Sequence, residues 1–322
     1  YTLSDFGAVS LLQFESFTFQ IYIQYQGSFD RTLAAVFSLV LVCLTVAVLY
    51  AEGRARGRAK YYRSTVGSIR PPQVVPLGRW RWPALVFCSL TALAALALPI
   101  FVLAYWLGQG LLAGVPLQSV WGPALNSTYV SGLASIVIVA AAIPVAILAV
   151  RYQGPLSALV ERASYKGFAL PGIVIALALV FFGVRYATPL YQTLAMLIFA
   201  YVVRFLPQAV GAARTSLLQV NPRMEEAARS LGSTAPEAIG RITIPLLHRG
   251  LLAGAGLVFL TVMKELPATL ILSPIGFETL ATSIWSATGE GLFARAAVPA
   301  LILIVVSFVP MAFLTLGERS GE

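Results

Sequence analysis

Long apolar stretches alternate along the chain with short polar ones. The apolar runs lie near 32–50, 83–107, 129–150, 168–185, 190–210, 250–272 and 297–316, and about 20 apolar residues make a helix long enough to cross the hydrocarbon core of a bilayer. This pattern predicts an all-α polytopic membrane protein with about seven membrane-spanning helices. The runs 168–185 and 190–210 are separated only by a short turn from Ala187 to Leu190 that contains Pro189, so they read as a helical hairpin. Composition agrees: 58% apolar and 11% charged residues exclude an ordinary soluble domain.

The net charge of +9 matches a nucleic-acid binder in sign, but the basic residues sit beside apolar runs and sort by side. With Tyr1 outside, 17 of the 22 Lys and Arg fall in inside segments and Arg31, Arg185 and Arg295 fall outside. Such asymmetry follows the positive-inside rule and makes a lipid bilayer, not nucleic acid, the partner. Trp80, Trp82, Tyr105 and Trp106 flank the second run as interfacial anchors. The uncharged loop Gln109 to Ser127, with Val115-Pro116-Leu117 and Trp121, reads as a segment along the outer interface. Cys43 and Cys88 fall inside apolar runs and act as small hydrophobes.

One long polar stretch, 221–247, lies between two strongly apolar ones and faces the cytoplasm in this topology. Asn221 suits an N-cap, Pro222 the first helical position, and Gly232 a left-handed stop, which predicts a helix of about three turns. Thr234 and Glu237 have capping-box spacing, and the chain runs on to Pro245. Here the sequence resembles a known family. Glu226-Ala227-Ala228, Gly232, Ile242, Ile244 and Pro245 match the EAA loop, E-A-A-x3-G-x9-I-x-L-P, of membrane subunits of binding-protein-dependent ABC importers, with Ile244 in place of the usual leucine. The resemblance implies that the loop docks on a cytoplasmic ATPase. Ala227 and Ala228 would permit close approach, Gly232 would make the bend, and Glu225, Glu226, Arg223 and Arg229 would offer charges.

An internal repeat accounts for the first 50 residues. Phe14 to Tyr22 lines up with Phe277 to Trp285, each followed by a Phe-x-Arg (Phe29 and Arg31, Phe293 and Arg295) and one last span. Asp5 pairs with Glu265 after a three-residue shift. Residues 1–50 thus read as the tail of a first transmembrane half, 51–81 as a basic cytoplasmic linker broken by Pro71, Pro72 and Pro76, and 82–322 as a second half carrying the loop at 221–247. The linker's charge fits either the topology rule or anionic-lipid binding. On this repeat, on the order of 200 residues are expected ahead of Tyr1, giving a fused permease of about twelve spans.

Charges inside spans are costly and mark functional positions by default. Lys264 and Glu265 lie in the sixth run, followed by Pro267, and as helix neighbours they diverge by about 100 degrees and need not pair. Two readings stay open for them: lining a translocation path or outer gate, or snorkelling to the outer interface from a helix that ends early. Arg204 reads as a snorkelling anchor at the inner face and His248 as interfacial. The stretch Lys264 to Leu270, KELPATL, resembles that of fused ferric-iron permeases, although no side chain here shows an iron site.

With one His, no cysteine pair at ligand spacing, and no Walker or dinucleotide motif, the chain carries no enzyme constellation. The resemblance implies a type I permease of a bacterial inner membrane, alternating between inward- and outward-open states. A pair of ATPase subunits would bind the ATP, so the permease itself needs no cofactor, and a periplasmic binding protein would deliver ferric iron. Thiamine, a polyamine or an oxyanion remain alternative cargoes. A secondary transporter would share the repeat and the charges but would not need an EAA-spaced loop, and a membrane-embedded transferase would need clustered acids, His or metal ligands.

Overall fold

A computed structural model describes residues 5–27, 31–55, 76–115, 120–152 and 154–319. The described residues form helices and turns with no strand. In chain order the helices are α1 (Gly7–Leu11), α2 (Phe17–Gly27), α3 (Thr32–Ala55), α4 (Arg81–Leu112) and α5 (Trp121–Arg151). There follow α6 (Pro155–Ala169), α7 (Gly172–Tyr186), α8 (Leu194–Gln219), α9 (Arg223–Ser230) and α10 (Ala235–Ala238). The last four are α11 (Ile244–Met263), α12 (Pro267–Leu272), α13 (Leu280–Gly289) and α14 (Phe293–Arg319).

Among the described residues six helices, α3, α4, α5, α8, α11 and α14, are long and apolar enough to cross a membrane. The apolar run 168–185 differs from expectation. Leu170 is extended (φ −75°, ψ 135°) ahead of Pro171, so the residues before it join α6 and α7 keeps only 15 residues. At 1.5 Å per residue that is roughly 22 Å, short of a hydrocarbon core of about 30 Å. The run 250–272 is likewise two helices, broken between Met263 and Pro267.

Helices α5, α8 and α11 pack against one another as the centre of the bundle. Ala134, Ile138 and Ala142 of α5, Leu197, Ala200, Phe205 and Val210 of α8, and Val258 and Val262 of α11 share its core. Lipid offers no hydrophobic drive for helices to associate, so close contact between small side chains has to hold them. Gly254 of α11 supplies it: a Cβ there would lie 3.0 Å from the Cβ of Ala212 on α8. One turn earlier Gly250 abuts Ser216 in the same way. Leu85, Phe87, Leu90, Leu93 and Leu96 of α4 are exposed, as lipid-facing side chains are.

The two ends of the chain repeat one order of elements. Helices α1, α2 and α3 have 5, 11 and 24 residues; α12, α13 and α14 have 6, 10 and 27. The Ser16 hydroxyl accepts from the Phe19 N–H at 3.3 Å at the start of α2, and Thr279 accepts from Thr282 at 3.3 Å at the start of α13. Phe29, residues 56–75 of the basic linker, and Pro116 and Leu117 of the outer loop lie outside the described residues.

The charge asymmetry makes a direct prediction about sidedness. With Cys43 and Cys88 replaced, a cysteine introduced in the 51–81 linker should be shielded from an impermeant thiol reagent in intact cells, and one at Ser286 should label. The reverse pattern would sink the orientation.

Candidate functional site

Two places gather the candidate residues, and the first is the polar loop. Asn221 accepts from the Arg223 N–H at 3.0 Å, and α9 runs for eight residues, a little over two turns instead of three. It closes in a Schellman turn: Ser233 donates to the Ala228 carbonyl and Gly232 to that of Arg229, both at 3.1 Å, with Gly232 at φ +96°. The Thr234 N–H donates to Glu237 at 2.9 Å, completing the other half of the expected cap. That bond holds the Glu237 carboxyl below its usual range.

The second helix is not separate from the span that follows. A π-turn, Ile239–Thr243, carries α10 directly into α11, whose opening turn contains Pro245. Proline has no N–H to donate and its ring crowds the preceding turn, which a widened turn accommodates. Ile242 is half-buried there, while Ile244 and Pro245 are exposed.

Glu225 and Glu226 have opposite surroundings. Glu226, Ala227 and Gly232 are exposed, with Met224 and Leu231, the last 88% open to solvent. Glu225 turns inward instead. Its Oε1 accepts from Arg151 Nε at 3.1 Å and from the Thr243 hydroxyl at 2.8 Å, and Arg151 also donates to the Val220 carbonyl at 3.1 Å. Ala228 is half-buried beside it. One carboxylate thereby ties the ends of α5 and α8 to the π-turn that begins α11. Sequence reasoning missed Arg151 and Thr243; a lone arginine closing a span looks like any other inner-face charge.

The second place is a cavity of about 210 Å³. Asp5, Phe6 and Gly7 line one side, Lys264, Glu265, Leu266 and Pro267 another, and Arg204, Phe205 and Thr261 the rest. Arg204 comes ten residues into α8, roughly 15 Å along it, so the cavity lies at mid-bundle.

Lys264 and Glu265 do diverge. Lys264 is exposed, whereas Glu265 is 5% exposed and does not snorkel outward. Its carboxylate pairs with the Arg204 guanidinium and accepts from the Ala268 N–H at 3.2 Å and the Thr269 N–H at 3.1 Å. The Thr269 hydroxyl is 2.9 Å from the same carboxylate and 2.7 Å from the Tyr201 hydroxyl. Glu265 thus caps α12 and bonds it to α8. Arg204 is not the inner-face anchor its sequence position implied, because α8 continues to Gln219 and places it in mid-helix. Among the described residues no group of three or more His, Cys, Asp or Glu is placed to hold a metal ion.

Residues 142–320 match the family model described as the binding-protein-dependent transport system inner membrane component. The chain is 35% identical over 317 residues to the Fe(3+)-transport system permease protein FbpB 2 of Haemophilus influenzae, an alignment that covers 98% of this chain and 63% of that protein. It is 30% identical over 245 residues to a probable molybdenum ABC transporter permease protein of Haloferax volcanii, covering 70% of this chain and 86% of the relative. In fold it is similar to a chain of a bacterial alginate ABC transporter crystallised in complex with an alginate pentasaccharide-bound periplasmic protein. That likeness has a TM-score of 0.59 at 16% identity and covers 76% of this chain and 96% of the other.

Proposed function

The chain belongs to the family of binding-protein-dependent transport system inner membrane components, and we propose that it is the membrane-spanning permease part of an ATP-driven importer of ferric iron. The observation that carries this reading is the α9 surface: Glu226, Met224 and Leu231 stand exposed beside a glycine-stopped helix, on the face assigned to the cytoplasm. Soluble partners bind such a mixed apolar and charged patch, here a pair of ATPase subunits that bind and hydrolyse the ATP. ATP-driven closure of that pair would move α9 and shift the bundle between inward- and outward-open states. A periplasmic binding protein would deliver the cargo in a bacterial inner membrane.

Ferric iron as cargo rests on the similarity to the Haemophilus influenzae iron permease. The repeated order of elements at the two chain ends supports a fused, two-half permease, with 1–50 closing the first half, 51–81 linking, and 82–322 forming the second. Lys264, Glu265 and Pro267 line the mid-bundle cavity and so belong to the region a substrate would cross. Glu265 serves there as a structural tie, whereas Lys264 is exposed and offers a positive charge, not a ligand, to whatever passes it.

The test is reconstitution of the transporter with its ATPase pair and a periplasmic iron-binding protein. Iron-loaded binding protein should stimulate ATP hydrolysis and drive uptake of radioactive iron. Glu226→Ala or Gly232→Pro should leave membrane yield unchanged and lower the co-purifying ATPase by roughly tenfold or more, the loss that about 1.4 kcal/mol of contact produces. ATPase recovery and uptake at unaltered levels in both variants would remove the coupling role. Stimulation by an oxyanion, thiamine or polyamine complex and not by iron would replace the cargo.

A further inference from the structure

Going beyond the importer reading, we propose that the groove between α3 and α7 is a binding site for one anionic phospholipid of the outer leaflet, with its phosphate on Arg31 and Arg185 and an acyl chain laid between the two helices. The groove has a volume of about 730 Å³. Ala34, Ser38 and Val180 form its buried floor, and Leu39, Phe181 and Val184 stand exposed along its rim. Small side chains on both walls, Ala35 on α3 and Ala178 on α7, leave the space open. The Ser38 hydroxyl donates to the Ala34 carbonyl at 2.7 Å, so the floor has no free donor to offer a polar ligand.

The depth of the groove is that of one leaflet. Its lining runs from Arg31 to Val42 on α3 and from Val174 to Arg185 on α7, roughly 16 Å on each at 1.5 Å per residue, or about half of a 30 Å hydrocarbon core. The two helices are antiparallel in the topology set by the charges, so both arginines fall at the outer end, with Tyr25 and Thr32 beside them. The inner end, at Val174, is two residues from Gly172, which abuts the mid-bundle Arg204.

Charge selects the headgroup. Three of the 22 Lys and Arg lie on the outer side, where the positive-inside rule disfavours them, and two of those three line the mouth of this one groove. No carboxylate is among the described residues that line it. The Arg31 guanidinium lies over the Tyr25 ring, 4.8 Å from its centroid, which holds it at the mouth. Guanidinium N–H groups match the geometry of phosphate oxygens. Some acyl chain fills a bilayer-facing hollow in any membrane, since an empty one forfeits packing contacts, and the arginines decide which lipid carries it. A zwitterionic headgroup brings an ammonium up to two guanidiniums; phosphatidylglycerol brings none. Bound there, the lipid joins α3 to α7 through the depth of the leaflet.

The test needs neither cargo nor ATP, so its outcome is independent of the importer reading. The assembled transporter is placed in phosphatidylcholine nanodiscs holding a small share of phosphatidylglycerol with a photoreactive group on one acyl chain, and the cross-linked peptides are mapped. Cross-links should concentrate on 32–42 and 174–185, and the same photoreactive chain on phosphatidylcholine should label them at least fivefold less. Arg31→Gln combined with Arg185→Gln should lower phosphatidylglycerol labelling to the phosphatidylcholine level, whereas lysine at both positions should keep most of it. Ala178→Phe, which fills the groove from an exposed position, should lower labelling by both lipids. Equal labelling of the unaltered protein by the two lipids overturns the proposal, because the groove then takes a chain without selecting a headgroup. Undiminished phosphatidylglycerol labelling in the double glutamine variant overturns it too. So do cross-links confined to the basic 51–81 linker, which place the lipid at the inner leaflet, and a groove free of cross-links, which means that another helix of the transporter covers it.

Discussion

Arg204→Ala should destabilise the folded protein by about 3–5 kcal/mol, the usual cost of stranding one partner of a buried ion pair. The Glu265 side chain is 2% exposed, so loss of the guanidinium leaves its carboxylate without its ion-pair partner and largely out of contact with water. Gly172→Ala should act on the same pair from the other side. Gly172 begins α7 directly against the guanidinium, and an added Cβ would overlap the Arg204 side chain and stand 3.1 Å from the Glu265 carboxylate. Both variants should therefore melt several degrees lower in detergent. Lys264→Gln is the contrast: its exposed side chain should be replaceable without loss of stability, and uptake at matched protein levels should fall if it meets cargo. Unchanged melting of Arg204→Ala would show that the pair contributes nothing to the fold. Undiminished uptake by Lys264→Gln would remove that residue from the path.

Features that depend on near neighbours were legible in the sequence. Hydropathy marked the spanning helices, and the stop at Gly232 and the cap from Thr234 to Glu237 came from local rules that the structure follows. Errors arose where a boundary moved a side chain. Ending the fifth apolar run near 210 put Arg204 close to the inner face, but the amphipathic turns beyond it are still helix as far as Gln219, because their small residues pack on α11. Averaged hydropathy likewise passed over Leu170-Pro171, where the chain extends and shortens α7. Contacts between distant segments were illegible in principle: the motif singles out Glu226, but nothing along the chain shows that Glu225 turns inward until Arg151, 74 positions away, reaches it.

That difference between adjacent glutamates leads to the largest functional effect expected here. Glu226 faces outward, so its loss should weaken the hold on the ATPase. Glu225 faces inward, where Arg151 and Thr243 hold it, so Glu225→Ala or Arg151→Ala should leave the α9 docking surface in place and the ATPase bound. What these variants lose is the tie between α9 and the ends of α5, α8 and α11, through which any movement of α9 must enter the bundle. Each bond to a charged group contributes about 1.5–3 kcal/mol, enough at 1.4 kcal/mol per decade to shift a conformational equilibrium tenfold or more. Uptake should fall by at least that factor while ATP hydrolysis continues without responding to the binding protein. Thr243→Val, which removes one hydroxyl and keeps the shape, should have a smaller effect in the same direction. The measurements are ATPase recovery, hydrolysis with and without binding protein, and uptake, compared with Glu226→Ala. Loss of the ATPase from Glu225→Ala, to the extent seen for Glu226→Ala, would mean that both carboxylates serve docking and that the inward tie transmits nothing.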